Sequence, residues 1–248
     1  MVSKNFSHHN LSVVIPAYNE ELIIEKTIRE LDDYLHLKFV NYEIIVVDDG
    51  SNDNTFELCN SLAKNIPYLS VVKNQQNQGK GYSVRKGMQE SKYNQILFTD
   101  ADMSTPITEV EKALILFDQG WDVVIGSRAM KESNIVKRQV WYRQAMGRIF
   151  NILVRLFFRT AIRDTQCGFK LFSQEKVKSI LALQRIDRFC FDVELLFLLK
   201  KLGCKIVEMP VIWANREDSK VKVVSSSLDM FGGLFTVLWN DWTGKYKI

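Results

Sequence analysis

The chain has 248 residues, 46% of them apolar and 25% charged, with a formal net charge of +4. That length and apolar share allow one sizeable buried core, and so small a charge gives no argument for nucleic-acid binding. The cysteines Cys59, Cys167, Cys190 and Cys204 lack metal-like spacing and read as reduced thiols. Residues 1–10 form a polar tail without the apolar core of a signal peptide. No window reaches the roughly 18 uninterrupted apolar residues of a membrane span, so the chain is expected to be soluble or peripheral. The histidines, His8 and His9 in the tail among them, show no ligand spacing and read as inert.

In chain order, Leu11 to Ile15 predicts a strand that stops at Pro16, and Glu20 to Leu35 carries helical spacing. Tyr42 to Val47 is a second strand, Thr55 to Ile66 a helix and Leu69 to Val72 a third strand. A short helix over Ser83 to Ser91 precedes a strand at Gln95 to Thr99, a helix at Val110 to Gln119 and a fifth strand at Asp122 to Ile125. Such alternation predicts an α/β fold, a mainly parallel sheet with helices on both faces. Ile44 to Val47 is apolar on both faces, as a strand buried between two helical layers requires. Further on, helices are expected at Ala145 to Ile162 and Val193 to Leu202, with a strand at Cys204 to Val211. A polar stretch beyond Arg216 leads to a helical apolar pattern at Leu228 to Trp242, weakened by Gly232 and Gly233. No linker divides the chain, so residues 11–227 read as one domain and residues 228–248 as an amphipathic segment.

The polar residues that carry chemistry sit where strands end, the edge at which open α/β sheets collect ligands. Asp100-Ala101-Asp102 follows the fourth strand directly. Paired carboxylates there suit Mg²⁺ or Mn²⁺, which take the rest of their shell from phosphates and water; the alternative is a solvated turn. Pro16-Ala17-Tyr18-Asn19-Glu20 closes the first strand and Asp48-Asp49-Gly50-Ser51 the second. Carboxylates at such a place can accept a base N–H or ribose hydroxyls, or serve as turn formers. The glycine-bearing loop Asn77-Gln78-Gly79-Lys80-Gly81 enters a helix and would turn amides and Lys80 towards an anion. It lacks the Walker A spacing.

The strings SVVIPAYNEE, IIVVDDGSNDNT, NQGKGYSVRKGM, FTDADMSTP and IGSR resemble the inverting family 2 glycosyltransferases with the GT-A fold. Arg143 to Gly147, Asp164 to Lys170, Phe191 to Glu194 and Ser219 to Val221 are similar to the dolichyl-phosphate glucosyltransferase branch. The resemblance implies that the Pro16 to Glu20 turn (Pro16, Ala17, Tyr18, Glu20), with Asp48, Asp49 and Lys80, holds the uridine part of a nucleotide sugar, with Ala101 beside it. It implies that Asp100 and Asp102 bind the metal, Asp102 most directly. Arg128 and Arg143 would hold a lipid phosphate, and Arg216, Ser219 and Lys220 would close over the donor phosphates. Asp164 and Asp192 are candidates for orienting acceptor or sugar, the alternative for each being a helix cap or an arginine partner. Ser104 stands where mannosyl relatives can offer a glutamine. Relatives usually carry a glycine before the Ser-Lys pair, where this chain has Glu217-Asp218.

The implied reaction is metal-dependent transfer of glucose from UDP-glucose to a dolichyl or polyprenyl phosphate, on the cytoplasmic face of a membrane. The rivals are the same reaction with UDP-N-acetylglucosamine or GDP-mannose, transfer to a saccharide hydroxyl, and a non-catalytic nucleotide-sugar sensor. Arg148, Arg155 and Arg159 share one face of the Ala145 helix, beside Ile149, Phe150, Leu153, Leu156 and Phe157. That pattern suits a membrane interface, or a core helix with a solvated arginine stripe. Phe231, Leu234, Phe235, Leu238, Trp239 and Trp242 would form a second interfacial element, or cover the core or another subunit of a homo-oligomer.

Overall fold

A computed structural model describes residue 6 and residues 8–137, 140–215 and 223–247, without the side chains of 223–228. Seven strands form the main sheet: β1 (Asn10–Ala17), β2 (Asn41–Asp48), β3 (Leu69–Lys73), β4 (Gln95–Thr99), β5 (Val123–Ser127), β7 (Phe169–Ser173) and β8 (Ile206–Pro210). Their order is β3-β2-β1-β4-β7-β5-β8. All neighbours run parallel except β7, which is antiparallel to both β4 and β5. A small parallel pair, β6 (Asn134–Lys137) with β9 (Ile212–Ala214), stands apart.

Alternation along β1 assigns the two faces. Leu11, Val13 and Ile15 join one apolar cluster with Ile24, Ile28, Leu31 and Leu35 of α1 (Ile24–Lys38), Cys59 and Leu62 of α2 (Thr55–Ala63), and Ala113 and Leu114 of α4 (Val110–Asp118). Val14 points the other way, into a cluster with Val84 and Met88 of α3 (Lys80–Glu90), Phe150 and Val154 of α5 (Trp141–Phe158), and Phe191 and Leu198 of α7 (Phe191–Lys201). Side chains of successive strand residues face opposite sides, so a strand buried on both must be apolar throughout. Truncating a fully buried leucine of either layer, such as Leu11 or Leu198, costs about 2–5 kcal/mol.

The expected architecture is present, with shifted ends and added elements. The first helix starts at Ile24 because Glu20 to Ile23 forms a turn, the Glu20 carbonyl accepting from the amides of Ile23 and Ile24. The arginine-bearing helix starts earlier than Ala145, at Trp141, and ends at Phe158. Arg159 leaves it with a left-handed φ of 47°, and Lys200 Nζ donates to the carbonyls of Phe158 and Arg159. A lysine on the last carbonyls closes a helix end well, so Arg159 caps the helix rather than extending its face. The elements absent from the sequence reading are β6, β7, β9 and α6 (Gln174–Leu181). β7 escaped because Lys170 interrupts its apolar run. The final helix, α8, spans Val223–Trp242 and packs on α5 and α7. It sends Leu234 and Val237 into the second cluster, and Tyr246 beyond it is fully buried. Among the described residues no helix is long and apolar enough to cross a membrane.

Candidate active site

Four parallel strands, β1, β2, β4 and β5, end at one edge of the sheet, and their polar residues meet there. The turn after β1 is stitched to the loop after β2. Asn19, at φ 56°, donates its amide to Ser51 Oγ at 2.9 Å, and Glu20 donates its amide to Thr55 Oγ1 at 2.7 Å. The Asp49 amide donates to the Ala17 carbonyl at 2.8 Å. Tyr18 stays exposed at the edge.

The two adjacent aspartates have different surroundings. Asp49 is saturated by protein donors: Asn74 Nδ2 at 2.8 Å and the Gln78 amide at 3.0 Å on Oδ1, and the Gly79 amide at 2.8 Å on Oδ2. It thereby anchors the loop that delivers Lys80. Asp48 is fully buried; Oδ2 accepts from the Ser51 amide at 3.3 Å, while Oδ1 has no hydrogen-bond partner. A buried acceptor without a donor is costly, and of the two, Asp48 has the spare acceptor.

Gly79 has φ 108°, and a Cβ there would stand 2.4 Å from the Asp187 carbonyl oxygen, so only glycine makes this approach. Lys80 is the first residue of α3, and its Nζ lies 2.7 Å from Asp100 Oδ1. Burial works against the ammonium, but Asp100, with Asp192 and Asp102 beyond it, holds the Lys80 pKa above its ordinary value.

Asp100 and Asp102 flank a tight turn. The Met103 amide donates to the Asp100 carbonyl at 3.1 Å, Met103 takes a left-handed φ of 46°, and Asp102 Oδ1 accepts from the Ser104 amide at 2.9 Å. Ala101 is buried and its carbonyl accepts from Thr27 Oγ1 at 2.6 Å, fixing the turn to α1. Burial, reinforced by the charge of Asp100, pushes the Asp102 carboxyl above the ordinary aspartate range. Two hard oxygen donors that repel one another fit a divalent cation such as Mg²⁺ or Mn²⁺, whose other positions phosphate and water fill.

β7 reaches this edge because it runs backwards. Thr99 pairs with Phe169, so the residues just before β7 arrive beside Asp100. The Asp100 amide donates to the Gly168 carbonyl at 3.2 Å, and a Cβ on Gly168 would lie 1.8 Å from Asp100 Oδ2. Lys170, fully buried on β7, donates to Asp192 Oδ1 and the Cys167 carbonyl, each at 2.6 Å. Lys170 was missed in the sequence, although a lysine inside Phe169-Lys170-Leu171-Phe172 is the signal that could have found it.

Arg128 follows β5 and meets Asp164 three ways: Nε to Oδ2 at 2.7 Å, Nη2 to Oδ1 at 2.8 Å, and its amide to Oδ2 at 2.9 Å. The guanidinium also stacks over Trp213 at 5.4 Å. Burial alone would raise the Asp164 pKa; Arg128 outweighs it and holds the carboxyl below its usual range. Asp164 is thus placed as the partner that orients Arg128, and Asp192 as the partner of Lys170. Arg143 lies half-buried in the first turn of α5. Arg216, Ser219 and Lys220 lie outside the described residues.

Residues 12–181 match the family described as Glycosyl transferase family 2. The dolichyl-phosphate beta-glucosyltransferase of Dictyostelium discoideum is 34% identical over 251 residues, covering 96% of this chain and 76% of that protein. The human protein of that name is also 34% identical, over 96% of this chain and 78% of its own length. The Saccharomyces cerevisiae one is 33% identical over 96% and 76%. Among solved structures, glucosyl-3-phosphoglycerate synthase from Mycobacterium tuberculosis, in complex with Mn²⁺, UDP and glucosyl-3-phosphoglycerate, superposes with a TM-score of 0.66 at 20% identity. It covers 92% of this chain and 80% of that one. Its complex with Mg²⁺ and UDP gives 0.67 at 20% identity, over 92% and 79%. The shared architecture is the GT-A fold, and the chain is a glycosyltransferase that belongs to glycosyl transferase family 2.

Proposed function

We propose that the protein transfers glucose from UDP-glucose to dolichyl or a related polyprenyl phosphate, with inversion at the anomeric carbon. The observation that carries the acceptor class is the pairing of Asp164 with Arg128 and of Asp192 with Lys170. A sugar hydroxyl needs a carboxylate base, whereas Asp164 and Asp192, the two candidates for orienting acceptor or sugar, are each tied to a cation. A phosphate monoester has a second pKa of about 6 and is already an anionic nucleophile at neutral pH. Bringing two anions together is then the difficulty, and fixed positive charge eases it. Arg128 would face the acceptor phosphate in an orientation set by Asp164, with Arg143 contributing from α5. The names of the relatives in three organisms support glucose and dolichyl phosphate.

On the donor side, Asp48 would accept from the base and the Pro16–Glu20 turn would frame the nucleoside, while Asp49 keeps the Lys80 loop in place. Asp100 and Asp102 would hold Mg²⁺ or Mn²⁺, which supplies charge neutralisation of the leaving diphosphate. Lys80 would move from Asp100 towards phosphate once the cation takes its place. The M. tuberculosis enzyme in complex with UDP and Mn²⁺ or Mg²⁺ supports this choice of ligands.

The acceptor implies a membrane surface, and peripheral binding on the cytoplasmic face is part of the proposal. Support comes from α5 and α8, which pack together and leave Ile149, Ile152, Leu156, Phe235, Trp239 and Trp242 exposed. Arg148 and Arg155 are exposed on α5 as well. Aromatic and basic residues over an apolar face suit the headgroup region. Incubation with a panel of nucleotide sugars and a short polyprenyl phosphate tests the proposal. UDP-glucose should be the preferred donor and Mn²⁺ or Mg²⁺ required; transfer of another sugar, or transfer to a saccharide but not to the lipid phosphate, would overturn it.

A further inference from the structure

Read alone, His8 and His9 have no ligand partner in the sequence. The fold supplies one at the edge of the sheet opposite the candidate active site, where β1 and β4 begin and α4 ends. The His9 amide donates to the Phe6 carbonyl at 2.9 Å, and Phe6 is buried in the first apolar cluster, so this short turn is docked on the body of the protein. His9 is 3% exposed. Its Nε2 is buried without a hydrogen-bond partner and faces Asp118 Oδ2 at 3.4 Å. His8 Nε2 lies 3.9 Å from the same oxygen, and one ligand atom from each of the three residues falls within 4.8 Å of the others. A tetrahedral cation with bonds of about 2.0–2.1 Å holds its ligand atoms roughly 3.4 Å apart, so small side-chain rotations close the set.

Two further features favour a cation. Asp118 is the last residue of α4, whose final turn carries no basic residue; a carboxylate beside the outward carbonyls of a helix end is electrostatically unfavourable until a cation joins it. His9 Nδ1 lies 2.7 Å from the side-chain amide of Gln95, whose Oε1 is buried and has no partner. Turning that amide over makes Oε1 accept from Nδ1–H, which fixes the tautomer whose Nε2 lone pair faces Asp118. Metal-bound histidines are held in this way by a hydrogen bond on the far ring nitrogen.

We infer that His8 Nε2, His9 Nε2 and an Asp118 carboxylate oxygen form a second metal site, taking an imidazole-preferring divalent cation such as Zn²⁺, with water in the fourth position. Its role is structural: it clips the segment ahead of β1 to the end of α4. Two imidazoles separate it from the oxygen-only donors of Asp100 and Asp102, because imidazole favours Zn²⁺, Co²⁺ and Cu²⁺ over Mg²⁺ and Ca²⁺.

The test is titration of the full, untagged chain with Co²⁺, read by the visible absorption of tetrahedral cobalt, followed by competition with Zn²⁺. One equivalent should give the tetrahedral spectrum, Zn²⁺ should displace it, and Zn²⁺ should raise Tm. The exposed ligands are changed first, since His8→Ala and Asp118→Asn should leave the fold unaltered by circular dichroism. Each should weaken binding at least tenfold, and Gln95→Leu roughly 10- to 100-fold. Asp102→Asn should leave the cobalt spectrum intact. Absence of a tetrahedral spectrum, equal binding by wild type, His8→Ala and Asp118→Asn, or loss of the signal in Asp102→Asn would each overturn the proposal.

Discussion

Asp100 and Asp164 both face a cation, yet the two pairs are built for different ends. Lys80 reaches Asp100 through one ammonium contact of 2.7 Å, with both side chains about a third exposed (30% and 29%). Asp102 stands next to that pair and is pushed up by burial and by Asp100. Asp164 is 3% exposed and takes two guanidinium contacts and one amide from the same residue, Arg128. A planar fork on a carboxylate fixes direction as well as charge, whereas an ammonium is a point charge that is readily exchanged. The first pair is a place where one cation can replace another; the second is a permanent fixture.

Removing the carboxylate beside the exchangeable pair should have the largest effect. Asp102→Ala should lower kcat roughly 10³-fold, since a bound cation contributes several kcal/mol to a charged transition state, and the melting curve should hardly move. Full turnover in EDTA would break the comparison. Asp164→Asn should instead destabilise the protein, by about 2–3 kcal/mol in urea titrations. That is somewhat less than a fully buried pair would lose, because Arg128 is 27% exposed. If Asp164→Asn destabilises the protein no more than Lys80→Met does, the two pairs are alike after all.

Two arginines outside both pairs extend the contrast, because Arg148 and Arg155 are exposed on α5. Replacing both with Gln should remove about 2 kcal/mol of attraction to anionic vesicles, roughly a 30-fold change in partition. Transfer to a short soluble acceptor should be unchanged. Equal loss on both acceptors would move these residues into the catalytic machinery.

The smallest effect is on pH dependence, where the two carboxylates differ in sign. The Asp164 pKa is lowered, so its contribution to stability is present above the ordinary aspartate value of about 4 and is lost as pH falls through its lower folded value. The Asp102 pKa is raised in the metal-free protein. Ionising it opposes folding, and stability is regained as pH falls through a value above about 4. Mn²⁺ must displace that proton, so its affinity should fall by about tenfold per pH unit once Asp102 is protonated. Mn²⁺ titrations by electron paramagnetic resonance across this window check the sign; affinity independent of pH would place the metal elsewhere.

The strands and their carboxyl ends were legible because parallel strands buried on both sides are apolar throughout and the polar residues follow them at once. Asp48, Asp49, Asp100, Asp102 and Arg128 all occur in that way. What stayed hidden depends on contacts distant in sequence. β7 is antiparallel and contains Lys170, so it reads neither as an apolar run nor as an alternating one. Asp164 was named as a site residue, but its grip on Arg128, 36 positions away, could not be read from spacing. His8 and His9 look inert until the fold carries Asp118 to them.

Gly168 sets a limit on how this site can be redesigned. The space that would hold its side chain is filled by the Asp100 carboxylate, with a Cβ position only 1.8 Å from Oδ2. Even alanine, the smallest change available, must displace the carboxylate or the strand that carries it. Variant libraries aimed at new sugar donors can therefore spread over Tyr18 and the other exposed positions at this edge, but position 168 has an alphabet of one letter. A residue with no functional group thus controls where the Asp100 carboxylate sits.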